Sequence, residues 1–430
     1  MSDPKAQKTF EKKIYALVDC NSFFCSCERL FRPDLKDKPI GVLSNNDGCF
    51  ISRTPEFKKL NIPMGAPYFK YKDVCEKNGA HVFSSNFALY TNISDRVMIS
   101  LSQFTPDLEV YSVDEAFLDL TGFKNLESYG HLIKEAVFKE VGIPVSVGIG
   151  TSKTLAKVAN YHAKKNKTGV VSLLDERVQD EVLGNTPIGE VWGVGRASAS
   201  KFESLRVKTA KDFRDYKNHA LIKKIFTKVG LQRLEELQGK SRFFLNQEIQ
   251  KKKGIMASRS FGLAVTNIND LRAAVATHAS KACERLRLQD SYCSFVGVSV
   301  RNSPFKTGAY YKGGVGEEFV SPTQDTKKVV RYALNALDKI FKAGYDYKKA
   351  GVSLAGIKDE KELQLNFFEP PDSQKSKDLM KTVDLINRAY GAQTLKLGVC
   401  GLEEKSKWSM RMNYKSPSYV TGWSELPKVK

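Results

Sequence analysis

The chain has 430 residues, a formal net charge of +20 and a pI of about 9.4. Hydrophobic residues make up 41% of it, which provides for sizeable cores and excludes a chain that is disordered throughout. The length suits about two to four domains, and the excess of positive charge suits a polyanionic partner, either nucleic acid or an acidic membrane surface. No apolar run is long enough to cross a bilayer. Residues 1–13 are polar and Lys-rich, so we predict a disordered basic leader there and no secretory signal.

The cysteines indicate a reducing compartment, and we expect a cytoplasmic protein. Most of them lie in apolar surroundings, without the density of a disulfide scaffold. Cys20, Cys25 and Cys27 are close in sequence, but their spacing fits neither the usual zinc pairs nor the common iron–sulfur runs. We therefore interpret them as buried thiols.

The ordered part of the chain opens with a short apolar strand over residues 14–19, which ends in Asp19. A helix over 22–30 follows, and Arg32-Pro33-Asp34 ends it. Residues 31–77 read as a small insertion with these elements: a strand at 38–43, a turn at 44–48 and a mainly helical stretch at 51–60.

After the insertion the pattern predicts a ferredoxin-like domain. Its elements are a helix at 87–104, a hairpin at 108–120, a helix at 126–140 and a strand at 145–149. Without the insertion and the 87–104 helix, the order is β-α-β-β-α-β. A basic helix at 154–165 follows.

Two adjacent carboxylates, Asp114 and Glu115, interrupt the apolar run of the hairpin. Neighbouring charges among strands are costly unless a cation, a partner or water holds them, and a solvated hairpin tip is the simpler alternative. If the strand that ends in Asp19 lies beside the hairpin, three carboxylates meet at one rim of the sheet. Such an oxygen-rich site suits Mg²⁺, and two such ions can clamp the attacking and leaving oxygens of a phosphoryl transfer.

Residues 176–240 are mainly helical by pattern. Within them Gly193 and Gly195 precede Arg196 at a predicted helix start. This resembles a helix–hairpin–helix, in which backbone N–H groups at a helix start meet a DNA phosphate, and a plain glycine turn is the alternative. The third glycine of a dinucleotide-binding fingerprint is missing.

A lysine-rich linker at 251–254 leads to a second β-α-β-β-α-β unit, with elements at 255–262, 268–288, 293–301, 317–320, 325–342 and 350–355. The unit is basic, which favours a nucleic-acid grip over ordinary solvated helix faces, at Arg259, Lys281, Arg285, Arg287 and Arg301. Residues 357–430 are polar and poorly periodic, and we predict a tail. The tail contains an apolar stretch before two prolines, Gln364-Leu365-Asn366-Phe367-Phe368. This pattern is typical of a peptide that docks in a partner's pocket, and a strand packed on its own domain is the alternative.

Together these motifs resemble the Y-family translesion DNA polymerases, and most closely their UmuC branch. The resemblance runs from about residue 14 to the C-terminus. It rests on the segments 19–24, 44–49, 84–86 with Tyr90, 111–117, 258–262 and 322–325.

The resemblance implies an α+β multidomain, right-hand polymerase. Its parts are a ferredoxin-like βαββαβ palm at 14–30 and 78–175, small fingers at 31–77, a helical helix–hairpin–helix thumb at 176–240, a linker at 241–254, a βαββαβ little finger at 255–356 and the C-terminal tail at 357–430.

The resemblance also implies the chemistry. Asp19, Asp114 and Glu115, with the backbone carbonyl of Cys20, match positions that bind two Mg²⁺ ions, while a primer 3′-hydroxyl attacks the α-phosphate of a dNTP. The physics agrees, because phosphoryl transfer depends on positioning and charge neutralisation more than on a covalent group of the enzyme.

Phe24 matches the steric gate, an aromatic ring that blocks a ribose 2′-hydroxyl. Lys58 and Lys164 match the cations that hold the triphosphate, and Phe23 and Arg53 are expected to line the nucleotide. The family often has Tyr and Arg in the fingers motif, where this chain has Pro55 and Lys58. A lysine offers a point charge in place of a two-pronged fork, so we expect a different grip on the triphosphate.

The expected function is error-prone, template-directed DNA synthesis in SOS-type damage tolerance. DNA contacts are expected at Gly193, Gly195, Arg196 and Arg259, and residues 364–368 match a sliding-clamp peptide. The resemblance implies primer–template DNA, dNTP, a UmuD′-type dimer, a RecA filament and a sliding clamp as partners, and no membrane. A non-catalytic DNA- and clamp-binding adaptor and another palm-type metal enzyme, such as a nucleotide cyclase, are the alternatives.

Overall fold

The computed structural model describes residues 13–166, 168–246, 250–305, 308–363, 371–401 and 408–426. The chain divides into two compact units. The first comprises residues 1–44, 48–249 and 414–430, and the second comprises 45–47 and 250–413. All of the predicted leader except Lys13 lies outside the described residues. Among the described helices, none has the length and apolar character that crossing a membrane requires.

The first unit contains these strands and helices in chain order: β1 (Tyr15–Cys20), α1 (Phe23–Leu30), β2 (Ile40–Leu43), β3 (Phe50–Arg53), α2 (Pro55–Lys58), α3 (Tyr68–Lys77), β4 (His81–Ser84), α4 (Phe87–Leu101), β5 (Leu108–Val110), β6 (Glu115–Asp119), α5 (Leu126–Val141), β7 (Val145–Gly150), α6 (Lys153–Ala163), β8 (Val170–Ser172), α7 (Glu176–Gly184), α8 (Arg196–Ser204), α9 (Ala210–Arg214) and α10 (His219–Leu237).

Strand β1 lies at the centre of the main sheet, whose order is β5-β6-β1-β7-β8. It pairs antiparallel with both neighbours. Alternate residues face opposite sides of a strand: Val18 packs in the core with α4 and α5, whereas Leu17 packs in a second cluster with Ala156 of α6. Because helices cover both faces, β1 is apolar along its length. The predicted ferredoxin-like order is confirmed.

A smaller sheet, of order β3-β2-β4, lies between α1 and α4 in the sequence. The predicted helix over 51–60 is wrong in its first part, because Phe50–Arg53 is a strand paired with β2. The helix α2 begins only at Pro55, where the Thr54 side chain accepts a hydrogen bond from the Phe57 N–H and so caps it. Helix α3 and strand β4 were not predicted.

Helices α7 to α10 confirm the helical pattern of residues 176–240. Their apolar side chains share one core with the outer face of α6. The short stretch Ile188–Glu190, a 3₁₀ helix, leads into the glycine turn before α8.

The second unit contains β9 (Ile255–Val265), α11 (Ile268–Arg287), β10 (Ser291–Asn302), β11 (Lys312–Thr323), α12 (Thr326–Ile340), β12 (Tyr347–Ala355), β13 (Lys358–Asp359) and α13 (Gln374–Tyr390). Its main sheet has the order β11-β10-β12-β9, with antiparallel pairing throughout, and α11 and α12 share its core. This confirms the second β-α-β-β-α-β unit.

The region predicted as a poorly periodic tail contains a helix, α13. Asp384 of α13 pairs with Arg287 of α11, and the Arg287 side chain is only 9% exposed. Arg287 also donates to the carbonyl of Gln324 and the hydroxyl of Thr326. The expectation that Arg287 belongs to a basic surface is therefore wrong, because its guanidinium is paired with Asp384 inside the unit. The predicted clamp peptide, residues 364–368, lies outside the described residues.

Candidate active site

The site is built where β1 ends beside β6. Asp19, the fifth residue of β1, is register partner of Glu115, the first residue of β6. Asp19 is 5% exposed, and the N–H of the next residue, Cys20, donates to the Asp114 carbonyl at 2.9 Å. The antiparallel pairing thus brings carboxylates that are 96 positions apart in sequence to one rim of the sheet.

Two lysines, one within α6 and one directly after it, balance the negative charge of the carboxylates at this rim. Lys157 of α6 lies 3.0 Å from the Glu115 carboxylate, and Lys164, which follows α6, lies 2.7 Å from that of Asp19. Burial raises the pKa of Asp19 to about 7, with a smaller contribution from Glu115, and Lys164 opposes the rise. Burial alone would also raise the pKa of Glu115. The hydrogen bond from Asp19 and the positive charge of Lys157 outweigh burial, so the pKa of Glu115 lies below its ordinary value. Of the two carboxyls, Asp19 therefore takes up a proton more readily than Glu115.

Asp114 occupies the turn just before β6 and is partly exposed. The Ser112 hydroxyl donates to its carboxylate at 2.6 Å. Asp114 and Cys20 line the same cleft as Asp19.

These groups suit a hard divalent cation by their chemistry. The donors at the rim are carboxylate oxygens and backbone carbonyls, the ligands that Mg²⁺ prefers. Asp19 and Glu115 are register partners on paired strands, and a cation bound beside them would favour the ionised form of both. Among the described residues, however, no three acidic, His or Cys side chains are gathered closely enough to hold an ion as they stand. Asp114 is instead bonded to Ser112.

A cleft of about 360 Å³ opens beside the carboxylates. Phe24 of α1 lines it, partly exposed, and its ring stacks on that of Tyr90 with centroids 4.5 Å apart. Phe23 lines it as well, but is 3% exposed and belongs mainly to the core. Ser22, in the left-handed conformation at the start of α1, donates from its hydroxyl to the Arg53 carbonyl at 2.8 Å. The start of α1 thereby presents Phe24 to the cleft.

The three predicted nucleotide-binding cations also line this cleft. Lys58 is exposed at the end of α2, and the Lys164 side chain is 42% exposed. Arg53 differs, because its guanidinium donates to the Ile62 carbonyl and so holds the loop after α2. The structure thus leaves Lys58 and Lys164 better placed than Arg53 to meet a ligand.

The predicted glycine turn lies before α8. Gly193, Gly195 and Arg196 are all exposed. Gly193 has φ +83°, and a Cβ there would lie 1.9 Å from the guanidinium carbon of Arg233. Gly193 therefore has a structural reason to be glycine, whereas a Cβ at Gly195 would meet nothing within 4 Å beyond its chain neighbours. In the second unit, Arg259 is partly exposed on β9.

Comparisons with known proteins decide the family. A model of the impB/mucB/samB family matches residues 18–161, and its C-terminal domain matches 252–367. A domain of unknown function matches 377–429. Protein UmuC of Salmonella typhimurium strain LT2 is 40% identical over 97% of this chain and 100% of its own length.

The chain belongs to the impB/mucB/samB family. As a member it is an error-prone translesion DNA polymerase of the SOS type. Protein ImpB of Salmonella typhimurium is 39% identical over 97% of this chain and 100% of its own length, and DNA polymerase IV of Clostridium acetobutylicum is 27% identical over 92% and 100%.

Solved structures show the same fold. A Dbh–Dpo4–Dbh chimera of Y-family DNA polymerases aligns with a TM-score of 0.63 at 22% identity, over 81% of this chain and 100% of the chimera. An insertion ternary complex of Dbh DNA polymerase aligns with a TM-score of 0.53 at 22% identity, over 81% and 100%. The right-hand architecture of an impB/mucB/samB polymerase is therefore the fold of this chain.

Sequence reasoning missed one residue at this site and two residues behind it. Lys157, which pairs with Glu115, was predicted only as part of a basic helix, and its four-residue spacing from Lys153 was the available signal. Tyr90, which stacks on Phe24, was part of a motif but had no predicted role. Glu28, whose buried carboxyl accepts from the Tyr90 hydroxyl, was not predicted, although a lone acid among the buried residues of α1 was a signal.

Proposed function

We propose that Asp19, Asp114 and Glu115 are the catalytic carboxylates of this polymerase. The observation that carries the proposal is the cross-strand pairing of Asp19 with Glu115, at a cleft that Asp114 also lines. The reaction is transfer of a dNMP from dNTP to a primer. The primer 3′-oxygen bonds to the α-phosphorus, the bond from that phosphorus to the bridging oxygen breaks, pyrophosphate leaves, and the hydroxyl proton passes to solvent.

The three carboxylates, with the Cys20 carbonyl, would hold two Mg²⁺ ions. Bound there, the ions would supply activation of the 3′-hydroxyl and neutralisation of the phosphate charge. Lys164 pairs with Asp19 when no nucleotide is bound, and its exposed ammonium can turn to the triphosphate. Lys58, across the cleft, is a second cation for the same phosphates.

We assign ribose selection to Phe24. Its ring lines the cleft beside the carboxylates and is backed by Tyr90, so a sugar bound there meets an aromatic surface. A 2′-hydroxyl would have to displace that surface or lie unsolvated against it, and both cost free energy.

The DNA contacts are proposed at the start of α8, with Gly195 and Arg196, and at Arg259 of the second unit. A backbone N–H group at a helix start and an exposed guanidinium are both suited to phosphates. A UmuD′-type dimer, a RecA filament and a sliding clamp, the last through residues 364–368, are proposed partners. We place the work in the cytoplasm, which the unpaired thiols of the cysteines support.

Primer extension with Mg²⁺ tests the catalytic assignment. Asp19→Asn, Asp114→Asn and Glu115→Gln should each lower kcat by about 10³-fold or more, since each removes charge from the ions. The matched control is Asp119→Asn, at the far end of β6, where the carboxylate pairs with Lys13. If the Asp114 variant extends primers as well as the Asp119 variant, the assignment is wrong.

A further inference from the structure

Residues 414–420, here called the C-terminal segment, are built into the first unit. The Ser84 N–H at the end of β4 donates to the Tyr414 carbonyl at 2.9 Å, and the Tyr414 N–H donates to the Ser84 hydroxyl at 3.0 Å. Tyr419 is 7% exposed and stacks on Phe31, with ring centroids 4.6 Å apart and planes 5° from parallel. The segment therefore packs as part of the core beside α1.

Ser416 is the polar centre of this contact. It is 5% exposed, and its oxygen accepts a hydrogen bond from the Asn86 side chain at 3.0 Å. Asn86 is itself held, because it caps α4 by accepting from the Leu89 N–H. The Asn86 carbonyl in turn accepts from the Tyr90 N–H at 3.1 Å, so Ser416 holds the first turn of α4, which carries Tyr90.

Glu28 anchors the ring behind the cleft. It is fully buried, and one carboxyl oxygen accepts from the Tyr90 hydroxyl at 2.6 Å. Burial raises the pKa of Glu28 to about 7, and the hydrogen bond from Tyr90 opposes the rise. The other carboxyl oxygen has no hydrogen-bond partner among the described residues, so Glu28 depends on the Tyr90 hydroxyl.

Tyr90 in turn supports Phe24. Tyr90 is completely buried, and its ring stacks on Phe24 at 4.5 Å with planes 15° apart. One face of the Phe24 ring is thus backed while the rest lines the cleft. Because the Tyr90 hydroxyl is fixed at Glu28, the ring cannot tilt or withdraw without breaking that bond. The position of Phe24 depends on a series of contacts that ends at Ser416.

We propose that the C-terminal segment is a positioning element for ribose selection: Ser416, acting through Asn86 and Tyr90, fixes the surface against which the Phe24 ring rests. The inference rests on the proposed role of Phe24. None of the three supporting residues lines the cleft, so they act through the ring and not on the substrate. Weakening any of them should let the ring give way to a 2′-hydroxyl.

The test is single-nucleotide primer extension by the full chain with matched dNTP and rNTP. The readout is the ratio of kcat/KM for the two. Ser416→Ala and Tyr90→Phe, which each delete one hydroxyl, should lower this ratio about 3- to 10-fold, the effect of one lost hydrogen bond. Phe24→Ala, which removes the gate itself, should lower it by more than either.

Two controls separate positioning from a general loss of structure. Ser418→Ala removes a hydroxyl from the same segment, two residues further on, that takes no part in the contact with Asn86, and it should leave the ratio unchanged. Glu28→Gln keeps an acceptor for the Tyr90 hydroxyl and should retain most of the ratio, whereas Glu28→Leu should lower it as Ser416→Ala does.

The outcomes distinguish the inference from the function on which it rests. If Phe24→Ala leaves the ratio unchanged, the gate assignment fails and the inference fails with it. If Phe24→Ala lowers the ratio but Ser416→Ala and Tyr90→Phe do not, only the inference is overturned. Equal losses of kcat/KM for both nucleotides leave the ratio constant, and would likewise overturn it in favour of a purely structural role.

Discussion

Arg287 and Asp384 form a two-point ion pair inside the second unit, at 2.7 and 2.8 Å. Their side chains are 9% and 18% exposed. The pair joins α13, a helix in a region with few apolar residues, to α11 in the core. Burial makes both the gain from pairing and the cost of breaking it larger than at a surface.

Asp384→Ala should therefore destabilise the second unit by about 2–4 kcal/mol, because it leaves a guanidinium buried with only two neutral acceptors. The free energy of unfolding in urea measures this. Asp338→Ala is the matched control, since it breaks the Arg272–Asp338 pair, whose side chains are 36% and 43% exposed. It should cost about 0–1 kcal/mol. Similar losses in the two variants would contradict the argument from burial.

Glu28 should make the stability of the fold depend on pH. Its pKa is about 7 in the folded chain, above the ordinary value of 4.5. The folded state therefore binds more protons between these values, so the contribution of Glu28 is fully present below pH 4.5 and is lost as pH rises through 7.

Glu28→Gln should remove this dependence. Relative to the parent, it should gain about 1–3 kcal/mol on going from pH 5 to pH 8, since one pKa unit corresponds to about 1.4 kcal/mol. The comparison isolates Glu28, because Asp19, whose pKa is also raised, titrates in both proteins. Parallel curves of unfolding free energy against pH would show that Glu28 does not titrate in this range.

The two glycines before α8 should respond differently to alanine. Gly193→Ala should destabilise the helical region by about 1–3 kcal/mol, because the residue has φ +83° and a Cβ would meet the Arg233 guanidinium. Gly195→Ala is the control, since its φ is −81° and no atom lies within 4 Å of a Cβ there. Thermal unfolding checks both. If Gly195→Ala weakens DNA binding without lowering stability, the position faces DNA.

Lys164 should contribute to the use of dNTP as substrate, whereas the adjacent Lys165 should not. Lys164→Ala should lower kcat/KM for dNTP about 10- to 100-fold, the range for one charge-assisted contact with a phosphate. Lys165→Ala is the control, because the Lys165 ammonium lies 4.0 Å from the Tyr161 ring and 2.6 Å from its hydroxyl. Equal effects of the two variants in steady-state incorporation would mean that general charge, and no specific contact, is responsible.

The strands of the main sheet could be predicted because each is specified by the pattern of residues within its own short segment. The apolar run that ends in Asp19 predicted β1, and the register that places Glu115 opposite was only a conjecture about neighbouring strands. No local pattern contains the contact of Lys157 with Glu115, which depends on α6 crossing the sheet. The carboxylates of the candidate site could be predicted, whereas the lysines that balance them needed the fold.

Other misses have physical reasons. Phe50–Arg53 is a strand because it pairs with β2, and that pairing overrides the helical tendency of the residues after it. Helix α13 was missed although Leu379, Val383 and Ile386 recur at helical spacing, because polar and charged residues surround them and the segment is polar overall. The ion pair of Asp384 with Arg287 depends on the fold and has no signal in the local sequence.

The C-terminal segment, residues 414–420, packs into the core of the first unit, although it follows the whole second unit in the chain. On the ribosome, β1 and α1 emerge early, yet the tyrosine that stacks on Phe31 is translated only after the second unit. A nascent chain therefore carries an unfinished core, with Phe31 lacking its stacking partner, until residues 414–420 have been made. Premature termination downstream of the second unit would release a protein that keeps every proposed catalytic carboxylate and still lacks a wall of its first core.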